Sequence, residues 1–460
     1  MNHAERLDRL PFTRLHTKLL VGSGLGWALD AMDVMLMASV LVQLGKLWQL
    51  TDGTKGWIAS AGFIGMALGA SLGGLLADRV GRRQVFVITL LVYGLATAAS
   101  ALSATVAILI GLRVVVGLGL GAELPVASTL VSEFAPARIR GRVVVFLEAF
   151  WAVGAILAAL IGAYVVPAGS NGWRWALAVG VVPALYALFV RLGLPESVRF
   201  LGGKGRLSQA EKIVRDFERS AGLELPTSPA PVAPEPAEAA EPAEAAEPVQ
   251  AARTGALWAP GLRRRSILIA LVWFFVNFSY YGAFLWMPTL LVNDGITITK
   301  SLQYNLVITL AQLPGYVVAG LLIEKWGRRP TLVVFLAGSA ASAGLFALTH
   351  QPWSIIVAGM ALSFFNLGAW GALYASTPEL FPTHLRGAGA GWAAGFGRIA
   401  SIIAPLIVPL LIGQGRAWLF VLFGASFLIA CLVSLALPEL RGKPLEQTVQ
   451  TDQPTRLSVR

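Results

Sequence analysis

Residues 74–83 read Gly-Leu-Leu-Ala-Asp-Arg-Val-Gly-Arg-Arg, and residues 320–329 read Gly-Leu-Leu-Ile-Glu-Lys-Trp-Gly-Arg-Arg. A second pair of similar stretches, Glu-Phe-Ala-Pro-Ala-Arg-Ile-Arg-Gly and Glu-Leu-Phe-Pro-Thr-His-Leu-Arg-Gly, covers residues 133–141 and 379–387. In both pairs the two copies are 246 residues apart. Two motifs that share one separation indicate an internal repeat. The chain is therefore predicted to consist of two similar halves.

Long apolar runs surround these stretches. The sequence is 56% hydrophobic and only 13% charged, whereas about a quarter of the residues in soluble domains are charged. A transmembrane helix needs about 20 apolar residues. We therefore expect an all-α membrane protein with twelve transmembrane helices in two pseudo-symmetric six-helix bundles, and an ordinary soluble enzyme is excluded. The runs are 19–45, 57–77, 84–104, 106–132, 143–166, 173–194, 266–292, 302–323, 331–349, 353–378, 388–412 and 416–437.

The basic residues indicate the orientation of the chain in the membrane. Under this topology, 29 of the 36 Lys and Arg lie on the side of the two termini and five on the other side, while two, Arg113 and Arg398, lie well inside the membrane spans. Because Lys and Arg concentrate in cytoplasmic loops, both termini are predicted to be cytoplasmic. The formal net charge of +11 then reports membrane topology. The predicted partner is the lipid bilayer, and no nucleic acid is expected.

A segment of different composition separates the two bundles. Residues 226–248 form a Pro, Ala and Glu repeat, which cannot bury enough apolar surface to offset its ordering entropy. Residues 208–220 have the pattern of a short amphipathic helix. The predicted parts are an N-terminal segment (1–18), a first bundle (19–194), a cytoplasmic linker (195–264), a second bundle (265–440) and a C-terminal tail (441–460).

Two parallel six-helix halves with sites at their interface resemble the major facilitator superfamily. The stretch 74–83 is similar to the signature loop of that superfamily. Pro-Glu-Ser at 195–197 and Pro-Glu-Leu-Arg-Gly-Lys-Pro-Leu-Glu at 438–446 resemble its sugar-porter-like branch. The resemblance covers nearly the whole chain outside the linker, and it implies a transporter that works by alternating access.

The repeated loops carry acids and arginines at the predicted cytoplasmic mouth. Ion pairs among them would close a gate in one state and break in the other; the alternative is that these charges only fix the topology. Gly74, Gly81, Gly320 and Gly327 suit tight turns and close helix approach. The predicted gating residues are Asp78, Arg79, Arg82, Arg83, Glu133, Arg140, Glu324, Arg328, Glu379 and Arg386, together with Glu123 and Glu148, for which gating or structure is favoured over substrate contact.

Three charges inside the predicted membrane region suggest proton coupling. Asp30 and Asp33 are three residues apart and share a helix face, and Arg113 lies at about their depth in the fourth helix. An Asp–Arg contact that protonation releases is a switch. Asp30 and Arg113 also match the acid and the arginine associated with proton coupling in sugar-porter-like symporters. A static buried pair is the alternative, and Asp33 is the other candidate for the titrating acid.

Arg398 is the lone charge within the predicted membrane region of the second bundle, and no acid lies near its depth in that bundle. An uncompensated guanidinium near the middle of the membrane predicts an anionic substrate that it holds by a bidentate contact. The flanking Gly395 and Gly397 would let a ligand approach. The alternatives are bonds from Arg398 to backbone carbonyls and a pair with an acid of the first helix.

Aromatic and polar residues lie at similar depths in the second bundle. Aromatic walls with a few polar groups suit a flat ring; the alternative is that Trp and Tyr anchor the helices at the membrane interface. The predicted substrate-binding residues, besides Arg398, are Asn277, Tyr280, Tyr281, Gln312, Asn366, Trp370 and Tyr374.

The details favour one group within the superfamily. The paired glutamines of helix 7 and the Pro-x-Pro-Trp of helix 10 that sugar porters carry are missing here, so a hexose is disfavoured. Five stretches resemble the bacterial niacin transporters, which are related to synaptic-vesicle-glycoprotein-like members. They are Gly-Leu-Gly-Trp-Ala-Leu-Asp-Ala-Met-Asp-Val (24–34), Gly-Leu-Gly-Ala-Glu-Leu-Pro-Val-Ala-Ser-Thr-Leu-Val-Ser-Glu (119–133), Phe-Ser-Tyr-Tyr-Gly-Ala-Phe-Leu-Trp (278–286), Thr-Leu-Ala-Gln-Leu-Pro-Gly-Tyr (309–316) and Leu-Ser-Phe-Phe-Asn-Leu-Gly-Ala-Trp-Gly (362–371).

This resemblance implies import of nicotinate, a flat aromatic monocarboxylate, by a monomer in a bacterial cytoplasmic (inner) membrane. Arg398 would bind the carboxylate, Tyr281 and Trp370 would sandwich the ring, and Asn366 or Gln312 would face the ring nitrogen. Protons are the expected coupling ion. The alternatives are another aromatic or organic acid, an exporter of organic ions, or a transport-inactive receptor on the same scaffold.

Catalysis is not expected. No nucleophile–base pair, phosphate-binding loop or metal-ligand cluster stands out in the sequence, and the four histidines (His3, His16, His350 and His384) lie near the termini or in loops. The prediction is that the protein is not an enzyme and has no cofactor or metal.

Overall fold

The computed structural model describes residues 3–136, 138–223, 254–382 and 385–439. The Pro, Ala and Glu repeat and the C-terminal tail lie outside these described residues. The helices before the repeat are α1 (His3–Asp8), α2 (Arg14–Leu47), α3 (Asp52–Val80), α4 (Arg82–Ser100), α5 (Val106–Phe134), α6 (Arg140–Tyr164), α7 (Gly172–Ala178), α8 (Val181–Gly193), α9 (Val198–Gly203) and α10 (Leu207–Ser220).

The helices after the repeat are α11 (Arg263–Asn293), α12 (Ile298–Leu310), α13 (Gln312–Trp326), α14 (Arg328–Leu348), α15 (Pro352–Ser376), α16 (Arg386–Leu411) and α17 (Arg416–Leu435). Within the described part of the chain, twelve spans are long and apolar enough to cross a membrane, with α7 and α8 forming one span and α12 and α13 another. No strand occurs among these residues. The all-α prediction with twelve spans is confirmed.

Two of the spans are broken in the middle, which the apolar pattern alone did not predict. The breaks lie between Ala178 and Val181 and at Ala311. Pro183 and Pro314 follow at short distance. A proline lacks the N–H that would bond the carbonyl four residues earlier, and its ring crowds that carbonyl. The helix therefore stops and restarts just before each proline.

The spans before the repeat pack mainly on one another, as do those after it. We call the six spans of α2–α8 the first set and the six spans of α11–α17 the second set. Small residues allow close packing within the first set: Gly65 of α3 lies against the backbone of α5 at Gly117, and a Cβ at Gly65 would lie 2.9 Å from the Gly117 Cα. Such small-residue contacts bring membrane helices close together.

The two sets also touch each other, at the end of the bundle opposite the repeated loops. The Ser60 hydroxyl donates a 2.8 Å hydrogen bond to the Ile402 carbonyl, and a Cβ at Gly56 would lie 2.7 Å from the Pro405 carbonyl oxygen. Here α3 meets α16 with almost no space between their backbones. This end of the interface is closed.

The repeated loops are built alike in the two sets. Gly81 and Gly327 have φ angles of 107° and 102°, a conformation that favours glycine, so their predicted turn role is confirmed. Gly74 and Gly320 have open space around them, and the prediction that they support close helix approach is wrong.

In both sets, the same kind of hydrogen bond links the repeated loop to the Pro-Glu sequence at the end of the set. The Glu196 carboxylate accepts a 3.1 Å hydrogen bond from the Arg83 backbone N–H, at the start of α4. In the second set the Glu439 carboxylate accepts a 3.0 Å bond from the Arg329 N–H, at the start of α14. Each carboxylate thus satisfies an unpaired N–H and lies at the positive end of a helix.

The predicted amphipathic helix is confirmed as α10. It buries Ala210, Val214 and Phe217, which lie on one face of the helix. The short helix α1 packs on it, because Arg6 donates hydrogen bonds to Glu211 and Glu218 at 2.6 to 3.2 Å. The bonds from Arg6 hold the pKa of Glu211 at about 2, below its ordinary 4.5.

Candidate functional site

A pocket lies between the two sets. Helices α11, α13, α15 and α16 of the second set contribute most of its wall, and α6 of the first set contributes the rest. The lining residues are Glu148, Trp151, Trp273, Asn277, Tyr280, Tyr281, Tyr316, Trp370, Tyr374, Ala394 and Arg398.

Aromatic rings form the pocket wall. The Trp273 ring lies edge-on to Tyr374 and Trp370, with ring centroids 5.0 and 5.6 Å apart, and Trp370 and Tyr374 are stacked at 5.7 Å and 29°. Tyr281 packs on Phe63 of α3 at 4.5 Å, so this ring contact crosses between the sets. These distances are those of favourable aromatic pairs, and they hold the rings fixed around the cavity.

Arg398 is the cationic group of this wall. It is half-buried, and its guanidinium approaches the Met66 sulfur at 3.9 Å and the Tyr281 hydroxyl. Glu148, from the first set, lies close enough to interact with it electrostatically. The sequence offered no acid for Arg398 within the second set, and the fold brings Glu148 to it from the first set.

The polar residues predicted for the pocket are placed differently from one another. Asn277 lines the pocket, but its side chain donates to the Trp273 carbonyl at 2.7 Å and accepts from the Ser401 hydroxyl at 3.0 Å. Asn366 and Gln312 are almost completely buried and lie outside the lining. Among the described residues, the Gln312 side-chain oxygen and both polar atoms of the Asn366 side chain have no hydrogen-bond partner. That one of these two side chains faces the substrate stays a prediction.

Tyr280 connects the two sets at the pocket. Its hydroxyl accepts a 2.9 Å hydrogen bond from the Trp151 indole N–H of α6. Trp151, Trp273 and Tyr316 were missed by the sequence reasoning. Helical spacing was the signal that could have found them, because each lies three or four residues from a residue that was singled out: Glu148, Asn277 and Gln312.

The three predicted proton-coupling residues are close together. The pairing differs from the one that the resemblance implied, Asp30 with Arg113. Arg113 donates a 2.7 Å hydrogen bond to Asp33, and both side chains are buried. The Thr97 hydroxyl donates to the other oxygen of Asp33. Asp30 is 1% exposed, and within the described residues neither of its oxygens has a hydrogen-bond partner. Arg113 is therefore paired with Asp33 and not with Asp30.

Glu123 and Glu148, which were predicted to serve gating or structure, lie among different neighbours. Glu123 is fully buried and accepts a 3.1 Å hydrogen bond from the Thr89 hydroxyl. Its carboxyl faces Asp30 and Tyr93. Glu148 lies in the pocket instead of at a gate. Position along the helix did not reveal these neighbours, because it does not tell which neighbour a helix face meets.

The predicted gating residues pair mostly within their own set. Arg82 lies 3.0 Å from Asp78 and 3.8 Å from Glu133, and Arg328 lies 2.9 Å from Glu379 in the second set. The contact that joins the sets here is between Glu324 and Arg142 at 2.7 Å, with both side chains more than half exposed. Arg142 was not among the predicted gating residues.

The remaining loop arginines have separate roles. Arg140 pairs with Asp8 of the N-terminal helix α1, and Arg83 donates to the Leu194 carbonyl at 3.3 Å. Arg79 is exposed. Two guanidinium nitrogens of Arg386 are buried without a hydrogen-bond partner among the described residues. The repeat in sequence therefore does not produce the same ion pairs at every equivalent position.

Twelve apolar spans in two repeated sets, with a pocket between them, define a membrane transporter of the major facilitator type. The family model described as "Sugar (and other) transporter" matches residues 28–451, and the chain belongs to this family. It is a multi-pass protein of the cytoplasmic membrane and a transporter rather than an enzyme. Among the described residues, no group of three or more His, Cys, Asp or Glu is arranged to hold a metal ion.

Relatives of known description agree with this family. The chain is 43% identical to the "Niacin transporter NiaP" of Acinetobacter baylyi, over 97% of this chain and 99% of that protein. It is 42% identical to the "Putative niacin/nicotinamide transporter NiaP" of Bacillus subtilis, over 94% and 97%. A structure of the xylose transporter XylE from E. coli in a partially occluded inward open conformation has the same fold, with a TM-score of 0.74 at 19% identity, covering 94% of this chain and 100% of that one.

Proposed function

We propose that the protein imports nicotinate across the cytoplasmic membrane by alternating access, in symport with protons. The observation that carries the proposal is the position of Arg398 in a wall of aromatic side chains between the two sets. The two relatives with niacin in their names support the same substrate. A monomer with both termini in the cytoplasm, divided into bundles at 19–194 and 265–440, remains part of the proposal.

Substrate binding begins with the carboxylate. The guanidinium of Arg398 offers a fork of N–H donors that matches a carboxylate in a bidentate contact. The Tyr281 hydroxyl adjoins that fork and adds a further donor. Because the cavity is bounded by low-polarity rings, such charge-assisted bonds are stronger there than in water.

The ring of the substrate is held by its faces. Trp370 and Tyr374 form a stacked surface, and Trp273 closes it at right angles. A flat six-membered ring laid against this aromatic surface buries apolar area. Glu148 lines the pocket beside Arg398. In this proposal the Glu148 carboxyl, rather than Asn366 or Gln312, exchanges a proton with the ring nitrogen.

Alternating access in this proposal uses the contacts between the sets. The end opposite the repeated loops is closed by the contact of α3 with α16, and the end with the repeated loops is bridged by the exposed pair Arg142–Glu324. Opening one end and closing the other moves the sets as units around the pocket. The intra-set pairs Arg82–Asp78 and Arg328–Glu379 stay within units that move together.

Radiolabelled nicotinate uptake and exchange in proteoliposomes test the proposal. Arg398→Ala should weaken nicotinate binding about 10- to 100-fold, because a hydrogen bond to a charged group is worth roughly 1.5–3 kcal/mol. Arg398→Lys keeps the charge without the fork and should lie between the two. Arg219→Ala, which changes an exposed arginine of α10 outside the pocket, serves as the control. Absence of nicotinate transport by the unaltered protein, or transport indifferent to Arg398→Ala, would contradict the substrate assignment.

Another aromatic monocarboxylate is the second candidate. The observation that favours it is that Asn366 and Gln312 lie outside the pocket lining, which leaves few groups to recognise a ring nitrogen. Competition of benzoate against labelled nicotinate distinguishes the two substrates. Equal inhibition by both acids would favour a general carrier of aromatic acids, and inhibition by nicotinate at far lower concentration would favour the first proposal.

A further inference from the structure

Two carboxyl groups meet in the interior of the first set without a cation between them. Asp30 of α2 and Glu123 of α5 are 1% and 0% exposed, and their carboxyl groups face each other. A Cβ at Gly26, one turn before Asp30, would lie 3.0 Å from a Glu123 carboxyl oxygen. This places the Glu123 carboxyl directly against the helix that carries Asp30.

Most of the polar atoms of this pair have no hydrogen-bond partner among the described residues. Thr89 donates to one oxygen of Glu123. The other Glu123 oxygen, both oxygens of Asp30 and the Tyr93 hydroxyl are buried and lack a hydrogen-bond partner within the described residues. The Tyr93 hydroxyl, 0% exposed, faces both acids. Two ionised carboxylates this close cannot both be stable away from water, whereas one proton between them satisfies an oxygen on each.

The nearby cations do not serve this pair directly. Arg113 is bound by Asp33, which is also fully hydrogen bonded through Thr97. The other charged or titratable groups that face the pair come from α2, α4, α8 and α16. They are Asp33, Tyr93, Tyr186 and Arg398.

We infer that Asp30 and Glu123 together form a proton-binding site of the transporter, beside the Asp33–Arg113 ion pair. The inference rests on the proposed function, which it refines by naming the site. A proton from one side of the membrane adds to a carboxylate oxygen of the pair, forming one O–H bond that the second carboxylate accepts as a hydrogen bond. It leaves from that oxygen to the other side, and no other bond is made or broken.

Arg398 provides the link between this site and the substrate. It acts electrostatically on Asp30 and lines the pocket. A substrate carboxylate on Arg398 neutralises the positive charge that would favour an ionised Asp30. Proton binding at the pair and anion binding in the pocket are thereby coupled, and the coupling is reciprocal.

The first arm of the test needs no substrate. Infrared spectra of the purified protein at neutral pH are compared between the unaltered chain and the double variant Asp30→Asn with Glu123→Gln. The expected difference is a protonated-carboxyl C=O band, shifted in D2O, that the double variant loses. If the difference spectrum contains no such band, the shared proton is ruled out, whatever the substrate.

The second arm measures coupling. In proteoliposomes, the ratio of nicotinate uptake with an inward proton gradient to uptake without one should fall to about one in Asp30→Asn and in Glu123→Gln. Glu196→Gln, a carboxyl outside the membrane pair, should keep the ratio of the unaltered protein. A Glu123→Gln protein that is still stimulated by the gradient overturns the inference. Failure of the unaltered protein to exchange nicotinate contradicts only the proposed function. The infrared measurement still tests whether Asp30 and Glu123 share a proton, because it needs no substrate.

Discussion

The two six-helix sets share one scaffold and differ in what they bury. In the first set, α2 and α5 enclose Asp30, Asp33, Arg113 and Glu123, and Glu148 of α6 faces the pocket. At the positions 246 residues later stand uncharged residues, most of them small. They are Val276, Ser279, Gly359, Ala369 and Ala394.

The second set reverses this pattern. Its buried surface towards the pocket is aromatic, and its single charge there is Arg398, whose counterpart in the first set is Ala152. The difference teaches that duplication fixed the helix packing while the two interiors diverged. One set came to hold buried ionisable groups, and the other came to hold rings around a cation.

The largest expected effect comes from breaking the buried ion pair of the first set. Asp33→Asn leaves the Arg113 guanidinium buried without a counter-charge, which costs roughly 3–5 kcal/mol. The matched change in the second set, Ser279→Ala, removes only a neutral hydrogen bond to the Phe423 carbonyl and costs about 1 kcal/mol. Unfolding of both variants in detergent gives the comparison. Equal losses would mean that the Asp33–Arg113 pair contributes no more than a neutral contact.

The features that the sets share should respond alike. Glu196→Gln and Glu439→Gln each weaken a charge-assisted bond to the first N–H groups of a helix, α4 or α14. We expect a loss of about 1 kcal/mol in each case. Unfolding measurements on the two single variants test the symmetry. A cost confined to one variant would show that the repeated Pro-Glu sequence supports only one set.

A contact beside the first set, between α1 and α10, should depend on pH. The pKa of Glu211 is held at about 2 in the contact with Arg6, against an ordinary 4.5. Because the folded-state pKa of Glu211 is lowered, ionised Glu211 contributes its full stabilisation at pH values above the ordinary pKa of 4.5. That contribution is lost as the pH falls from about 4.5 towards 2. The distance between spin labels on α1 and α10 should therefore widen in that window. Glu211→Gln should remove the dependence, and an unchanged distance at low pH would contradict it.

The smallest effect is expected where the two sets meet at the exposed pair Arg142–Glu324. Exposed pairs contribute roughly 0–1 kcal/mol. Arg142→Ala should therefore change nicotinate uptake by no more than about fivefold, with the matched variant Glu324→Gln giving the same result. A complete loss of uptake in either variant would show that this contact is essential for closing the transporter.

The sequence by itself determined the class of the fold. Apolar runs of membrane length, the separation of 246 residues between the loops and the placement of the basic residues are local or periodic signals. Helix formation in a membrane follows from such signals because every backbone group must be satisfied within its own segment. The repeated turns at Gly81 and Gly327 could be predicted for the same reason, since their φ angles depend on one residue each.

Only the tertiary structure decided which side chains meet. Sequence placed Asp30, Asp33 and Arg113 at one depth, and the fold paired Arg113 with Asp33 while leaving Asp30 facing Glu123. It likewise carried Glu148 to Arg398 across the set boundary. Depth along a helix follows from residue number, whereas the direction of a side chain towards a given neighbour depends on how each helix is rotated and packed. That rotation is fixed by contacts between helices far apart in sequence.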